Sequence, residues 1–436
     1  MPYSIKKSFL MTMRYFPRFQ FRSDTHSSQR GDVVNSRLSP KPSTIHHNQR
    51  YQTTMEILSV PQGEFKLSRF PRRKQETLRA WDAADEYLLQ QIDDEKLLAP
   101  DTRILIINDQ FGALSTALSG YQTTMVSDSW LAHAGTQANL KDNACTDTDI
   151  NILDSLSIPD GVYDLVLIKV PKSLAMLEDQ LYRLRPHLQA SSRVIAGGMV
   201  KAIHTSTLKL FETLLGETKT SLARKKARLI FPQLDANLEI GESPYPSSYI
   251  LENSEHRIYN HAGVFSRDSL DIGTRFLLAN LPSDERFQNI VDLGCGNGVV
   301  GLIAAEKNPA AKLTFVDESF MAVASAKLNF ETAFGKTRSA TFKATDCLQG
   351  IQRNSADLII NNPPFHQQNV VGTHIANQMF RESKAVLRQG GELWVIGNRH
   401  LGYHIALNKL FGNCETVASN NKFVILRAVK SSTPAV

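Results

Sequence analysis

Four cysteines are all that 436 residues contain, and Cys145, Cys295, Cys347 and Cys414 stand far apart with no C-x-x-C pair. That spacing argues against a disulfide framework and a zinc site, and it predicts a reducing, cytoplasmic location and no metal. Long apolar runs are missing too. None approaches the roughly 18 residues of a membrane span, so no membrane segment is expected. Net charge is absent where a nucleic-acid binder would be expected to carry it. The overall +6 resides in residues 1–54, which hold nine basic and two acidic residues, and leaves 40 basic and 41 acidic residues for positions 55–436. Any contact with a polyanion must therefore come from local patches.

What is present is ordinary globular composition, with 42% hydrophobic and 21% charged residues. The length exceeds what one core usually serves, so two domains are expected. Residues 1–54 show no sustained periodicity and read as disordered. Their Arg and Ser content is compatible with a transit peptide; an appended tail or an over-extended start before Met55 is the other reading.

From Arg103 onward short β-rich runs alternate with amphipathic stretches: 103–109, 123–129, 163–170 and 193–199, and then again 289–296, 312–319, 356–362 and 391–398. Such alternation predicts parallel α/β units. Two further β-rich runs around Asn420 and Asn421 read as a closing antiparallel hairpin. Gly112 pairs with Gly298, Asp128 with Asp317 and Asp164 with Asp357, at separations of 186, 189 and 193 residues. The chain is therefore read as a tandem duplication of one doubly wound α/β domain, with domains at 55–235 and 236–436. Residues 219–288 between them resist placement.

Chemistry concentrates in the second half. Val291-Asp292-Leu293-Gly294-Cys295-Gly296-Asn297-Gly298 follows a predicted strand and opens a helix, where glycines allow positive φ and close approach of backbone N–H groups to a ligand. Plain strand–helix turns share this pattern. Asp317 ends the next strand, where an acid can accept hydrogen bonds from both ribose hydroxyls of a nucleoside or merely cap a helix. Asn362-Pro363-Pro364-Phe365, directly after an apolar strand, stiffens the chain at the carboxyl end of that strand, where open α/β sheets bind ligands. The three elements in this order outweigh the reading of each as a turn or cap. His366 adjoins the motif and reads as a surface or packing residue.

The arrangement resembles amino methyltransferases acting on planar, conjugated nitrogens. Within them the chain resembles the ribosomal RNA large subunit methyltransferase G family, with its small-subunit guanine-N2 counterpart next. The resemblance covers residues 55–436 and rests on AWDAADEYLLQQ (80–91), INDQFGALS (107–115), VLIKVPK (166–172), HTSTLKLFE (204–212), KKARLI (225–230), NHAGVFSRDSLDIGTRF (260–276), VDLGCGNGVVGL (291–302), VDESFMAVASAKLN (316–329), NNPPFHQQ (361–368) and GNRHLGY (397–403). It implies two Rossmann-like class I methyltransferase domains, the first degenerate, and transfer of a methyl group from S-adenosylmethionine (AdoMet) to the exocyclic N2 of a guanine in 23S ribosomal RNA. It places cofactor contacts at Phe265, Ser266, Asp292, Gly294, Gly296, Asn297, Asp317 and Asp346. Catalysis falls to Asn362, Pro363 and Phe365, the aromatic ring stacking on an extruded base.

The first half departs from this pattern. Asn108, Gln110 and Gly112 stand opposite Gly294, Gly296 and Gly298, and Ile168-Lys169-Val170-Pro171-Lys172 opposite Asn361-Asn362-Pro363-Pro364-Phe365. A lysine cannot accept a hydrogen bond from an amine, so the first domain is expected to bind RNA rather than cofactor. Arg72, Arg73 and Lys74, with Lys66, Arg69 and a Phe70 able to stack, form one basic cluster; Arg224, Lys225 and Lys226, with Arg228, form the other. The chain is expected to act as a monomer. Adenine-N6 DNA and glutamine-N5 protein methyltransferases share the N-P-P motif but not the degenerate first half. An assembly factor without turnover would have no need of the intact glycines and Asn362.

Overall fold

The computed structural model describes residues 56–73, 76–145, 150–364 and 370–431. The expectations for 1–54, Lys74, Phe365 and His366 fall outside the described residues.

The apolar runs assemble into two seven-stranded sheets. The first contains Arg103–Ile107, Gln122–Ser127, Ile150–Asp154, Leu165–Lys169, Arg193–Met199, Thr218–Thr220 and Ala227–Pro232. The second contains Asn289–Leu293, Lys312–Asp317, Ala340–Ala344, Ala356–Asn361, Leu387–Asn398, Glu415–Ser419 and Phe423–Val429. With strands numbered by their order in the chain, both sheets have the order 3-2-1-4-5-7-6. Strands 1 to 5 are parallel, and strand 7 lies antiparallel between 5 and 6. The duplicated α/β architecture and the hairpin around Asn420 and Asn421 are thus as expected.

Parallel central strands are covered on both faces, so they read as continuous apolar runs. In the first sheet Ile104, Ile106, Leu165 and Leu167 pack to one side and Leu105, Ile107, Val166 and Ile168 to the other. In the second, Ile290, Leu358 and Ile360 oppose Val291, Leu293 and Ile359. Each buried Leu or Ile removes apolar surface worth about 1.5–3 kcal/mol. The edge strands Ile150–Asp154 and Ala340–Ala344 were missed by pattern reading because they are half-exposed and alternate weakly.

Residues 219–288 now have a plan. They finish the first sheet and then form an antiparallel hairpin, Ser247–Ile250 against Arg257–Asn260, and the helix Ile272–Ala279. The first repeat opens the same way, with the hairpin Glu56–Val60 against Gly63–Leu67 and the helix Ala83–Asp94. Asp82 and Asp271 cap the two helices, each accepting from a backbone N–H of the first turn.

Strand register corrects one sequence pairing. Ile107 pairs with Val126 and Leu293 with Val316, so Asp317 corresponds to Ser127, and Asp128 to Glu318. That one-residue shift moves Asp128 from a cofactor-like position to the junction of the repeats. There the helices Trp130–Asp142 and Phe320–Phe334 meet at their N-termini, and Ser129 bridges Ser319. Each serine caps its own helix and donates its hydroxyl to the other repeat's carboxylate, Ser129 to Glu318 and Ser319 to Asp128. Backbone N–H groups repeat the exchange: Trp130 to the Glu318 carbonyl and Phe320 to the Asp128 carbonyl, both at 3.0 Å. Leu131 N–H then reaches the Glu318 carboxylate at 3.0 Å, and Met321 N–H the Asp128 carboxylate at 2.8 Å. Ala175, Ala262, Val264, Met321 and Ala322 seal the contact.

Burial pushes the Asp128 carboxyl up to about 6 and the Glu318 carboxyl up to about 7, against the hydrogen bonds that favour ionisation. A carboxyl raised in the folded state stabilises the fold most below its unfolded value, and that contribution is lost as pH rises through the folded value. Thermal melts of the full chain are therefore expected to rise as pH falls from about 8 to 5, and Asp128→Asn to flatten part of that rise. Identical pH slopes in the two proteins would contradict the assignment.

Candidate active site

The carboxyl ends of strands 3, 2, 1 and 4 of the second sheet lie side by side, and the residues singled out from the sequence sit on them: Asp346, Asp317, the glycine loop and Asn362. Helices leave the sheet in opposite directions from strands 1 and 4, and the gap between those strands is where such sheets form a crevice.

The glycine loop is held by its neighbours in the sheet. Gly294 and Cys295 donate N–H bonds to the Val316 carbonyl at 2.9 and 3.0 Å, and Gly296 donates to the Asp317 carboxylate at 2.9 Å. Gly294, Gly296 and Gly298 have φ of 72°, 53° and 77°. Their surroundings differ. A Cβ on Gly298 would lie 2.7 Å from the Ala326 Cβ, so this glycine lets helix Val299–Lys307 pack on helix Phe320–Phe334. Among the described residues, a Cβ on Gly294 would meet only the Met379 Cε at 3.5 Å, and one on Gly296 only the Phe265 carbonyl at 3.4 Å. Neither contact is a clash, and the two glycines form a cradle into which an added side chain would project.

Beneath the loop, buried Asp292 accepts from Gly301 N–H at 2.8 Å, and burial pushes its carboxyl up to about 8. The Asn297 side chain is committed to structure, donating to Asn260 at 2.9 Å and accepting from Val299 N–H. Asp317 is held by N–H bonds from Gly296 and Ser319; burial raises its carboxyl despite them. Asp346 accepts from the Gln378 amide at 3.0 Å. Phe265 is 79% exposed beside Gly296, and Ser266 donates to the Ser269 carbonyl at 2.7 Å.

Asn362 donates through its amide nitrogen to the Thr274 hydroxyl at 3.0 Å, while its amide oxygen is buried without a partner among the described residues. Pro363 is buried next to it. Thr274 and Asn361 were not singled out from the sequence. Asn361 is fully buried with neither amide atom bonded among the described residues, where the first repeat has the apolar Ile168. Comparing the repeats position by position would have exposed it.

The same place in the first repeat is filled. Asn108 keeps the left-handed backbone of Gly294, with φ 67°, and its amide bonds the Lys169 carbonyl and exchanges two hydrogen bonds with Gln180. Lys169, in the register position of Asn362, is buried and paired with Asp82 at 2.6 Å and Asp85 at 2.8 Å. Burial would lower the lysine's pKa; the two carboxylates outweigh it. Gly112, by contrast, persists because a Cβ there would strike Thr136 at 2.7 Å.

The two basic clusters border one surface, their lining residues sharing Glu56 and Arg79. Much of their charge is neutralised: Arg72 pairs with Asp142, Arg224 with Asp94 at 3.9 Å and Lys225 with Glu86 at 2.6 Å. Arg73 and Lys226 have no carboxylate within 4.0 Å among the described residues. Phe70 packs on Trp130 and over Gly135 instead of standing free to stack. Arg73 nevertheless lies near the second repeat: after burial, it and Arg381 hold the His374 imidazole below its ordinary range.

A doubly wound sheet with this order and a closing hairpin defines a methyltransferase-type fold, here present twice, with the glycine cradle kept in the second repeat alone. Residues 255–427 match the Methyltransferase small domain and residues 55–236 the RLMG N-terminal domain. The T. thermophilus 16S rRNA N2 methyltransferase, solved with AdoMet and guanosine, shares the fold at TM-score 0.66 and 21% identity, over 87% of this chain and 99% of its own. Ribosomal RNA large subunit methyltransferase G of Streptomyces griseus is 48% identical over 383 residues, 86% of this chain and 100% of its own; that of Photobacterium profundum is 50% identical over 376 residues, 86% and 99%. The chain belongs to the ribosomal RNA large subunit methyltransferase G family.

Removing the lysine tests the filled site. Lys169→Met should destabilise the protein by about 3 kcal/mol, since it leaves Asp85 buried and unpaired. Addition of Asp85→Ala should recover part of that loss in denaturant melts, and an unperturbed single variant would show that the pair does not hold the repeat together.

Proposed function

We propose that the chain transfers a methyl group from AdoMet to the exocyclic N2 of a specific guanine in 23S ribosomal RNA, and that the second repeat performs the chemistry. The observation that carries this reading is the amide oxygen of Asn362, buried without a partner among the described residues, beside the cradle of Gly294 and Gly296. Bound AdoMet supplies an electrophilic methyl group carried on a sulfonium. The chain's own residues must make the amine nucleophilic, because its lone pair is delocalised into the ring. The Asn362 oxygen and the Pro363 carbonyl accept its two hydrogens, which favours sp3 geometry and localises the lone pair. As the nitrogen lone pair bonds the methyl carbon, the carbon–sulfur bond would break with its electron pair left on a neutral thioether, and the surplus proton on nitrogen then leaves to solvent. Positioning and electrostatics suffice, with no dedicated strong base and no metal.

Gly294 and Gly296 admit the cofactor, and Asp317 accepts from its ribose hydroxyls. Phe265, Ser266 and Asp346 border it. Asp292 and Asn297 act from below by holding the loop. Phe365 stacks on the extruded guanine. In the first repeat the place is plugged by Asn108, Gln180 and Lys169, which supports loss of cofactor binding there; its proposed role is to hold RNA through Arg72, Arg73, Lys74, Arg224, Lys225 and Lys226, of which Arg73 and Lys226 have no carboxylate partner among the described residues. We read the protein as a cytoplasmic monomer acting on 23S ribosomal RNA; four free cysteines are consistent with a reducing compartment.

Asn362→Ala should reduce methylation on the order of 10²-fold or more while leaving AdoMet affinity within a few fold. Asp317→Ala should do the opposite and weaken AdoMet binding in calorimetry. Full methyl transfer by Asn362→Ala, read as N2-methylguanosine by mass spectrometry, would refute the assignment.

A further inference from the structure

The neutralised clusters of the first repeat leave the question of where the catalytic repeat itself holds the RNA backbone. From Leu393 to Cys414 the chain has no acidic residue, and this stretch crosses the carboxyl edge of the second sheet beside strand 4. There strand 5 ends at Asn398 and pairs with Phe423 at the start of strand 7. Arg399 N–H donates to the Lys422 carbonyl at 3.1 Å, so Arg399 and Lys422 are adjacent, and both are exposed. Among the described residues neither has a carboxylate within 4.0 Å.

Contacts tie this pair to the site. The Phe423 ring lies 3.2 Å from where a Cβ of Gly273 would stand, and the next residue, Thr274, holds the Asn362 amide. Two links of packing thus separate Lys422 from the amide proposed to orient the guanine amine.

The first repeat supplies an internal comparison. Val200 N–H donates to the Lys226 carbonyl at 2.8 Å, so Lys226 occupies the place of Lys422, and the basic turn Arg224–Lys226 is the counterpart of Asn420–Lys422. In the first repeat that turn is pinned by Asp94 and Glu86 of helix Ala83–Asp94. In the second repeat the position of Glu86 is taken by Arg275, which is itself engaged by Glu252, so no acid of the helix faces the turn. Each turn thus keeps one lysine without a carboxylate partner among the described residues, Lys226 beside the plugged pocket and Lys422 beside the open one, and only the second repeat adds a second cation, Arg399, where the first has Val200.

We propose that Arg399 and Lys422 form a phosphate clamp that grips the RNA backbone next to the extruded guanosine. The proposal rests on the methyl-transfer reading above for its substrate. Each cation displaces counterions from one phosphate, so the clamp contributes affinity and salt dependence and takes no part in the chemical step.

The test measures binding of full-length protein to 23S ribosomal RNA across a salt series, with AdoMet affinity and methylation rate at saturating RNA measured in parallel. Arg399→Ala/Lys422→Ala should weaken RNA binding roughly tenfold and flatten the plot of log K against log salt by about 1.5–2 units. AdoMet affinity and the saturated rate should stay within twofold. Arg399→Lys/Lys422→Arg should bind as wild type, as should Lys312→Ala at the opposite edge of the sheet. Unchanged RNA affinity and slope in the double variant overturns the clamp; so does an equal loss in Lys312→Ala, or a loss of AdoMet binding. If the double variant loses RNA affinity but the wild type methylates no guanine N2, the clamp stands and the proposed reaction falls.

Discussion

Two helix N-termini meet head to head where the repeats join, and each is completed by a carboxylate from the other repeat. Helix N-termini carry unsatisfied N–H groups and partial positive charge, so bringing two together is unfavourable unless hydrogen-bond acceptors are interposed. Asp128 and Glu318 supply those acceptors, each also bound by a serine hydroxyl. The arrangement fixes the loop Asp317–Ser319 in the second repeat, since Asp317 leads directly into the capping serine and also holds Gly296. Part of what shapes the cradle is therefore supplied by the first repeat, although the chemistry lies in the second.

Duplication followed by loss explains which glycines survive. The third glycine of the loop is kept in both repeats because helix-on-helix packing leaves no room for a Cβ at Gly112 or Gly298. The first two meet no such clash among the described residues, and in the first repeat they have become Asn108 and Gln110. Asn108 succeeds because asparagine tolerates the left-handed conformation the turn still needs. The resulting hole is closed by polar groups that satisfy one another: Asn108 with Gln180, and Lys169 with Asp82 and Asp85. A buried lysine between two carboxylates is strongly destabilising to break, so the filled pocket is a structural commitment.

Much of the fold was legible in the sequence. The central strands announce themselves as apolar runs because both faces are buried, and Gly112/Gly298 and Asp164/Asp357 expose the duplication because both pairs keep local roles. Asp164 and Asp357 each accept the N–H of the first residue of strand 1, Arg103 and Asn289. The half-exposed edge strands were not legible. Nor was the one-residue register that sets Asp128 against Glu318, since two acids near one strand end look alike in one dimension.

By itself the sequence determined that two α/β repeats exist, that only the second retains the glycine loop and Asn362, and that strand ends present them, because backbone periodicity and turn chemistry act over a few residues. Tertiary structure decided the rest. Thr274 meets Asn362 across 88 residues, Glu86 neutralises Lys225 across 139, and Asp128 reaches Met321 across 193. Whether a charge is free or paired, and which end of an amide faces a pocket, depends on neighbours in space, and only the packed chain brings those neighbours together.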